Sequence, residues 1–285
     1  MTDESKIVIT GAGGQLGLAL QQKYPNAQAA TKEQLDITNA DAVRNYDWQN
    51  IELIINAAGY TNVDGAETDE GRVAAWQVNA NAVANLARAA TEHGLTLVHI
   101  STEYVFDGTK SPHKEDEPFS PLSVYGASKA GGDVAGGFAP KHYIVRTSWL
   151  IGEGGNFVRT MLELGKSGTS PTVVSDQIGR LTFTNELVKA IDHLLNTRAP
   201  YGTYNVSNSG EPASWGDIAR AIFQEGNLNI KLTNTTTSEY LANKPEAAKR
   251  PLNSTLDLSK IEASGFKPTD WREDLRQYIK KELPR

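Results

Sequence analysis

The 285-residue chain contains no cysteine and only 2 methionines. No disulfide can staple it and no thiolate can serve as nucleophile or metal ligand, a composition that suits a reducing compartment. A long apolar run is missing too: nothing approaches the roughly 18 residues that a membrane span needs. The start, "MTDESKIVITG", carries acids where a secretory leader carries bases, and it meets a strand at once. Excess positive charge is also lacking. Lys and Arg number 28 against 34 Asp and Glu, a formal charge of −6, and the bases are scattered. That argues against a broad footprint for nucleic acid or an anionic membrane, so any anionic ligand must be held by a local site. Internal repeats and polar low-complexity tracts are absent. With 39% hydrophobic and 22% charged residues, the chain reads as an ordinary folded, cytoplasmic protein.

What is present is an alternation. "KIVIT" is a β-branched run that stops at Gly11, and "LGLALQQKY" places Leu16, Leu20 and Tyr24 at helical spacing. "ELIINAA" then reads as a buried strand, "RVAAWQVNANAVANLARAATEHG" as one long helix ending on Gly94, and "LTLVHIS" as the next strand. "VYGASKAGGDVAGGF" reads as a glycine-rich helix and "HYIVRTSWL" as a further strand. Apolar strands separated by helices predict an α/β fold, a Rossmann-type doubly wound parallel sheet. Beyond Trp149 the rhythm loosens. Two helices, a strand at "GTYNVSN" and an N-cap at Ser214 are expected, and the polar "LANKPEAAKRPLNSTLDLSKI" reads as a ligand-covering loop. The division predicted is a dinucleotide domain from 1–148 and 177–207, with a smaller C-terminal substrate lobe from 149–176 and 208–285.

In "TGAGGQLG", Gly11, Gly14 and Gly17 lie between the first strand and its helix. The first permits a tight turn, the second lets a pyrophosphate approach the backbone, and the third lets the helix pack on the sheet. The helix N-terminus then faces the diphosphate. The pattern alone also fits a plain turn; the flanking strand and helix favour a dinucleotide. An acid about 20 positions on would mark NAD. Here the strand "AQAAT" ends at Thr31 and Lys32, with Glu33 slightly late and Asp36 later still. Lys32 suits a 2′-phosphate, so NADPH is expected, with NADH as an alternative.

Tyr125 and Lys129 are four apart, on one face of a helix. A phenol ordinarily titrates near 10, and an ammonium beside it favours the phenolate, so the pair is predicted to act together as acid and tuner. They follow "HISTEYVFDG", where a strand ends in Ser101 and Thr102 at the sheet's carboxyl edge, the edge at which ligands bind. Tyr125 is placed to give a proton to a carbonyl oxygen as hydride arrives, with a hydroxyl of that strand end on the same oxygen.

The succession "TGAGGQLG", "NAAGYTNVDGAE", "STEYVFDG", "VYGASK", "RTSWLIG" and "GNFVRTML" resembles the extended short-chain dehydrogenase/reductases and, more narrowly, the dTDP-4-dehydrorhamnose reductase family. The resemblance implies reduction of a 4-keto dTDP-sugar, with Thr102, Tyr125 and Lys129 as the catalytic triad. It implies cofactor contacts from Gly11, Gly14, Gln15, Leu16, Asp36, Ile37, Ala57, Ala58 and Tyr60, besides Tyr125 and Lys129. Sugar-nucleotide contacts fall on Thr61, Val63, Thr102, Tyr104, Trp149, Asn156 and Arg250, with Lys249 adding charge. An extended-family epimerase or dehydratase that recycles bound NAD is the competing enzyme. A regulatory subunit of methionine adenosyltransferase is the non-catalytic reading, against which the intact triad speaks. The chain also departs from the family: Glu103 stands where aspartate is common, and Arg180 and Leu181 where alanine and proline are frequent. Some members hold magnesium between subunits. Ala19 replaces one of the carboxylates involved while Glu186 retains another, so no metal and a monomer or weak homodimer are expected.

Overall fold

A computed structural model describes residues 3–242, 244 and 246–283. The apolar runs form β1 (Ile7–Thr10), β2 (Gln28–Ala30), β3 (Leu53–Asn56), β4 (Thr96–Thr102), β5 (His142–Thr147) and β6 (Gly202–Asn205). They pair in the order β6-β5-β4-β3-β1-β2, every pair parallel. Each residue of β1 and β3 is buried, as a sheet covered on both faces requires. The alternation of side chains distributes them between two cores. Ile7, Ile9, Leu53 and Ile55 face one side with Leu16 and Leu20 of α1 (Gln15–Lys23); Val8, Ile54 and Leu97 face the other with Val43 of α2 (Ala40–Asn45). Burying one such side chain contributes about 1.5–3 kcal/mol, so the two layers fix the sheet between them.

The long helix expected between β3 and β4 is broken. It runs as α3 (Asp69–Trp76), a π-helical turn over Gln77–Asn81, and α4 (Ala82–Glu92). The wider turn carries Asn79, a buried amide that must find partners. Its Oδ1 accepts from Tyr60 N at 2.8 Å, and its Nδ2 donates to Tyr60 O at 3.1 Å and to Ser128 Oγ at 3.0 Å. The loop after β3 is thereby tied to α5 (Val124–Gly136).

After β5, the helices α6 (Phe157–Lys166), α7 (Thr184–Thr197), α8 (Trp215–Glu225), α9 (Thr237–Ala242), α10 (Ser259–Ala263) and α11 (Trp271–Glu282) follow. Leu187 and Ile191 of α7 return to the core beneath the sheet, whereas α6, α8 and α11 build a separate cluster around Leu162, Ile222 and Trp271. Ser214 caps α8 reciprocally with Asp217, as its place before the helix predicts. The expected polar loop includes the end of α9 and the start of α10; its Asn243 and Pro245 lie outside the described residues. Because β1 sits between β2 and β3, the chain reverses direction across the sheet there. That reversal opens a crevice above the carboxyl ends of β1 and β3.

Candidate active site

Two clefts meet at that crevice. The first, of about 490 Å³, is lined by Gly11, Gly14, Lys32, Asp36, Ile37, Ala57 and Ala58 among others. Gly11 has φ +71°, and a Cβ there would lie 2.4 Å from Ala58 N, so the loops after β1 and β3 touch at this point. Gly14 is the N-cap of α1 and offers no side chain to the first-turn N–H groups, which stay available to an anion. Asp36 accepts from Thr38 N at 3.0 Å and Thr38 Oγ1 at 2.6 Å, bonds that hold its carboxyl below the usual range. A backbone cradle without side-chain caps fits a dinucleotide diphosphate.

The second cleft, of about 410 Å³, shares Gly14, Ala57 and Ala58 with the first and adds Gln15, Leu16, Tyr60, Thr61, Val63, Thr102, Tyr104, Tyr125, Lys129 and Trp149. Asn156 and Arg250 are not on its wall. Gln15 Oε1 and Thr147 Oγ1 are buried there without hydrogen-bond partners, which suits a polar occupant.

Helix α5 brings the reactive pair in. Ser123 caps it, accepting from Gly126 N at 3.2 Å. Its glycines have a purpose: a Cβ on Gly126 would lie 2.2 Å from Tyr104 O, and one on Gly132 2.1 Å from Asn79 O. Only bare backbone lets the helix come so close. Tyr125 then meets Tyr104 edge to face, with ring centroids 5.4 Å apart. Lys129 is buried, its Nζ donating to Ile100 O at 2.6 Å. Burial lowers the Lys129 ammonium to about 8, against the charge of Asp133 one turn on. Asp133 is itself paired with Arg146 at 2.8 Å.

The expected effect of the lysine on the phenol is not what the site shows. Burial raises the Tyr125 phenol above its ordinary value, the charge of Glu103 adds to this, and a hydrogen bond with Thr102 opposes it. The ammonium faces the Ile100 carbonyl instead. A fully protonated phenol at neutral pH is a proton donor, the state that ketone reduction needs.

Beneath the cleft lies a polar run that sequence reasoning missed. Thr10 Oγ1 donates to Asn56 Oδ1 at 2.7 Å, Ala58 N donates to the same oxygen at 3.2 Å, and Asn56 Nδ2 meets His99 Nδ1 at 3.1 Å. His99 Nε2 is 3.5 Å from Lys129 Nζ. Burial first, and the Lys129 charge second, push the imidazole well below its usual value, so it is neutral. The available signal was polar residues inside apolar strands.

A family model described as "RmlD substrate binding domain" matches residues 5–283. A dTDP-4-dehydrorhamnose reductase of Aggregatibacter actinomycetemcomitans is 42% identical over 95% of this chain and 97% of its own. A crystal structure of dTDP-4-dehydrorhamnose reductase from Bacillus anthracis, in complex with NADP, superposes with a TM-score of 0.87 at 37% identity, covering 97% of this chain and 99% of that one. The chain belongs to the dTDP-4-dehydrorhamnose reductase family. Similarity extends to a probable dTDP-4,6-dihydroxy-2-methyloxan-3-one 4-ketoreductase of Streptomyces antibioticus, 36% identical over 95% of this chain and 93% of its own.

Within this reductase family the remaining residues find their places. Trp149 holds φ +45° and stacks on Trp215 with centroids 3.8 Å apart. A bulky residue in that region carries about 1–3 kcal/mol of strain, held by the packing around it. Asn156 caps α6, accepting from Arg159 N at 3.1 Å and donating to Gly152 O at 2.8 Å and Tyr278 OH at 2.9 Å. Arg250 Nη2 is 2.9 Å from each oxygen of Asp64. Arg180 donates to Gly210 O at 2.8 Å and Leu256 O at 3.1 Å, and Leu181 is wholly buried. Arg180 thus ties two late loops together, and Leu181 fills the cluster built by α6, α8 and α11. Glu186 is buried and accepts from Thr269 N at 2.7 Å, Thr269 Oγ1 at 3.1 Å and Lys189 Nζ at 3.2 Å. Ala19 is buried on α1.

Proposed function

We propose that the chain reduces the carbon-4 ketone of dTDP-4-dehydro-6-deoxy-L-mannose to dTDP-L-rhamnose with NADPH, NADH being accepted as an alternative. One observation carries this reading: Thr102, Tyr125 and Lys129 line one cleft that is continuous with the glycine cradle through Gly14, Ala57 and Ala58. When bound, the nicotinamide cofactor supplies the hydride to carbon 4. Gly11, Gly14, Ala57 and Ala58 hold its diphosphate, and Tyr60 flanks it. Tyr125 passes its phenolic proton to the keto oxygen as the carbon becomes tetrahedral, and Thr102 fixes that oxygen by a hydrogen bond. Lys129, one turn from Tyr125 and anchored on Ile100 O, would hold the nicotinamide ribose of the bound cofactor. Thr61, Val63, Tyr104 and Trp149 wall the sugar. The N–H groups at the start of α6, ordered by Asn156, and the Arg250 guanidinium receive the sugar-nucleotide diphosphate.

In this reading residues 1–148 and 177–207 bind the cofactor, and 149–176 with 208–285 bind the sugar nucleotide. No helix among the described residues is long and apolar enough to cross a membrane. The finer reading is a cytoplasmic monomer or weak homodimer without nucleic-acid partners. No divalent metal is needed: Ala19 offers no oxygen, and the Glu186 carboxylate is committed to Thr269 and Lys189.

The test is to add the 4-keto sugar nucleotide and follow NADPH absorbance. Oxidation is expected at equal rates in EDTA and in magnesium. No oxidation in either overturns the reading, and loss in EDTA restored by magnesium overturns its metal-free part. A protein that purifies with NAD bound and releases none would be an epimerase or dehydratase.

Arg250→Ala should raise KM for the sugar nucleotide by about 10-fold or more, since a hydrogen bond to a charged group contributes about 1.5–3 kcal/mol. Its NADPH affinity, read by calorimetry, should stay unchanged. Equal weakening of NADPH would place Arg250 at the other diphosphate.

A further inference from the structure

Glu103 is 2% exposed and Thr102 6%. Thr102 Oγ1 donates to Glu103 Oε2 at 2.7 Å and accepts from Tyr104 N at 3.2 Å. Glu103 Oε1 is buried with no partner. A hydroxyl has one proton and two lone pairs. While its proton is directed at a carboxylate, Thr102 has none for a substrate oxygen.

We infer that Glu103 is a positioning residue of the ketone reduction, working in its neutral acid form to turn the Thr102 hydroxyl toward the substrate. The inference rests on the reductase reading above. In the neutral form the bonding closes without conflict. Glu103 Oε2–H donates to Thr102 Oγ1, Tyr104 N–H fills the second lone pair, and the Thr102 proton is released to the keto oxygen beside that of Tyr125. In the ionised form the direction reverses: Thr102 donates to Glu103 and presents only a lone pair to the cleft. A keto oxygen, which only accepts, is then held by Tyr125 alone. Reduction thus requires the protonated carboxyl, although a carboxylate in water is ionised at neutral pH.

The surroundings favour that form. Burial pushes the Glu103 carboxyl up to about 7, against the hydrogen bond from Thr102. The ionisable groups facing it are the phenols of Tyr104, on its own turn, and Tyr125, on α5, and its charge raises both. The nearby cations are engaged elsewhere, Lys129 by Ile100 O and Arg250 by Asp64. An aspartate, one methylene shorter, would hold the Thr102 hydroxyl differently, so the behaviour belongs to the glutamate of this chain.

Two measurements test it. In the unmodified protein, kcat with NADPH and the 4-keto sugar nucleotide should fall about 10-fold from pH 6 to pH 8, as ionisation of one acid near 7 dictates. In Glu103→Gln, whose amide N–H donates permanently to Thr102, the profile should be flat over that range. A structural role alone would lower kcat equally at every pH. A limb that persists unchanged in Glu103→Gln belongs to Lys129 and overturns the inference. Should that variant fail to fold, Glu103→Asp replaces it; a displaced limb supports the assignment and an unmoved one refutes it. The second measurement needs no turnover: the infrared difference between the unmodified protein and the variant should show one protonated-carboxyl band that fades between pH 6 and 8. Absence of that band at pH 6 also overturns the inference. If the sugar nucleotide is not reduced at any pH, the functional reading fails, and the infrared titration still decides the state of Glu103.

Discussion

Tyr125→Phe is expected to turn over about 100-fold more slowly, or worse, with NADPH affinity unchanged, because general acid catalysis typically contributes that much. The change removes one oxygen and its proton. The ring that packs edge to face on Tyr104 stays, so the wall of the cleft keeps its shape. On the proposed reading the diphosphate lies on the backbone of Gly11, Gly14, Ala57 and Ala58, a surface from which the substitution removes no atom. What is lost is the phenolic proton of Tyr125, which burial holds in place throughout the neutral range. Thr102, bonded to Glu103 at 2.7 Å, cannot replace it: an aliphatic hydroxyl can hold the keto oxygen by a hydrogen bond but is too weak an acid to give its proton up. Steady-state kcat and an NADPH titration of the variant check this together. Turnover within a few-fold of the parent would remove Tyr125 from the chemistry, and a matching loss of NADPH binding would make its role structural.

The parts of this site that were legible in the sequence are those set by local pattern. β1 and β3 are buried on both faces and open on apolar runs, which announces a covered parallel sheet. Tyr125 and Lys129 share a helix face by spacing alone, and Gly11 and Gly14 flank a strand-to-helix turn that backbone geometry restricts. What was not legible depends on contacts between distant segments. The π turn at Gln77–Asn81 interrupts a helical pattern that continues on both sides, and its cause is the pairing of Asn79 with Tyr60 and Ser128. The ionisation of Tyr125 follows from burial and from Glu103, neither visible in the spacing to Lys129. Asn156 announces a helix start, yet its partner Tyr278 lies 122 positions on, and Arg250 meets Asp64 across 186. Sequence spacing identifies which residues share one element; it cannot say which carbonyl or carboxylate a side chain will meet from another.

Gly11→Val should abolish measurable NADPH binding, a loss of at least about 100-fold, and lower the melting temperature. Two effects add at this residue. Its φ of +71° lies in the left-handed region, where a side chain costs about 1–2 kcal/mol. A Cβ would also lie 2.4 Å from Ala58 N and 2.5 Å from Ala57 C, backbone atoms that no rotamer change can move. Overpacking of this kind costs about 1–3 kcal/mol, and relief requires the loops after β1 and β3 to part. Those loops line the cleft in which the proposed reading puts the diphosphate, so on that reading relief of the clash and loss of the site are one event. Gly13→Ala is the control for stability: a Cβ there meets nothing within 4 Å and its φ is not positive, so its melting temperature should match the parent's. The pair separates backbone contact from a general dislike of side chains in a glycine-rich turn. Equal destabilisation of both variants would sink the contact explanation, and Gly11→Val binding NADPH as the parent does would show that the diphosphate is not held between these two loops.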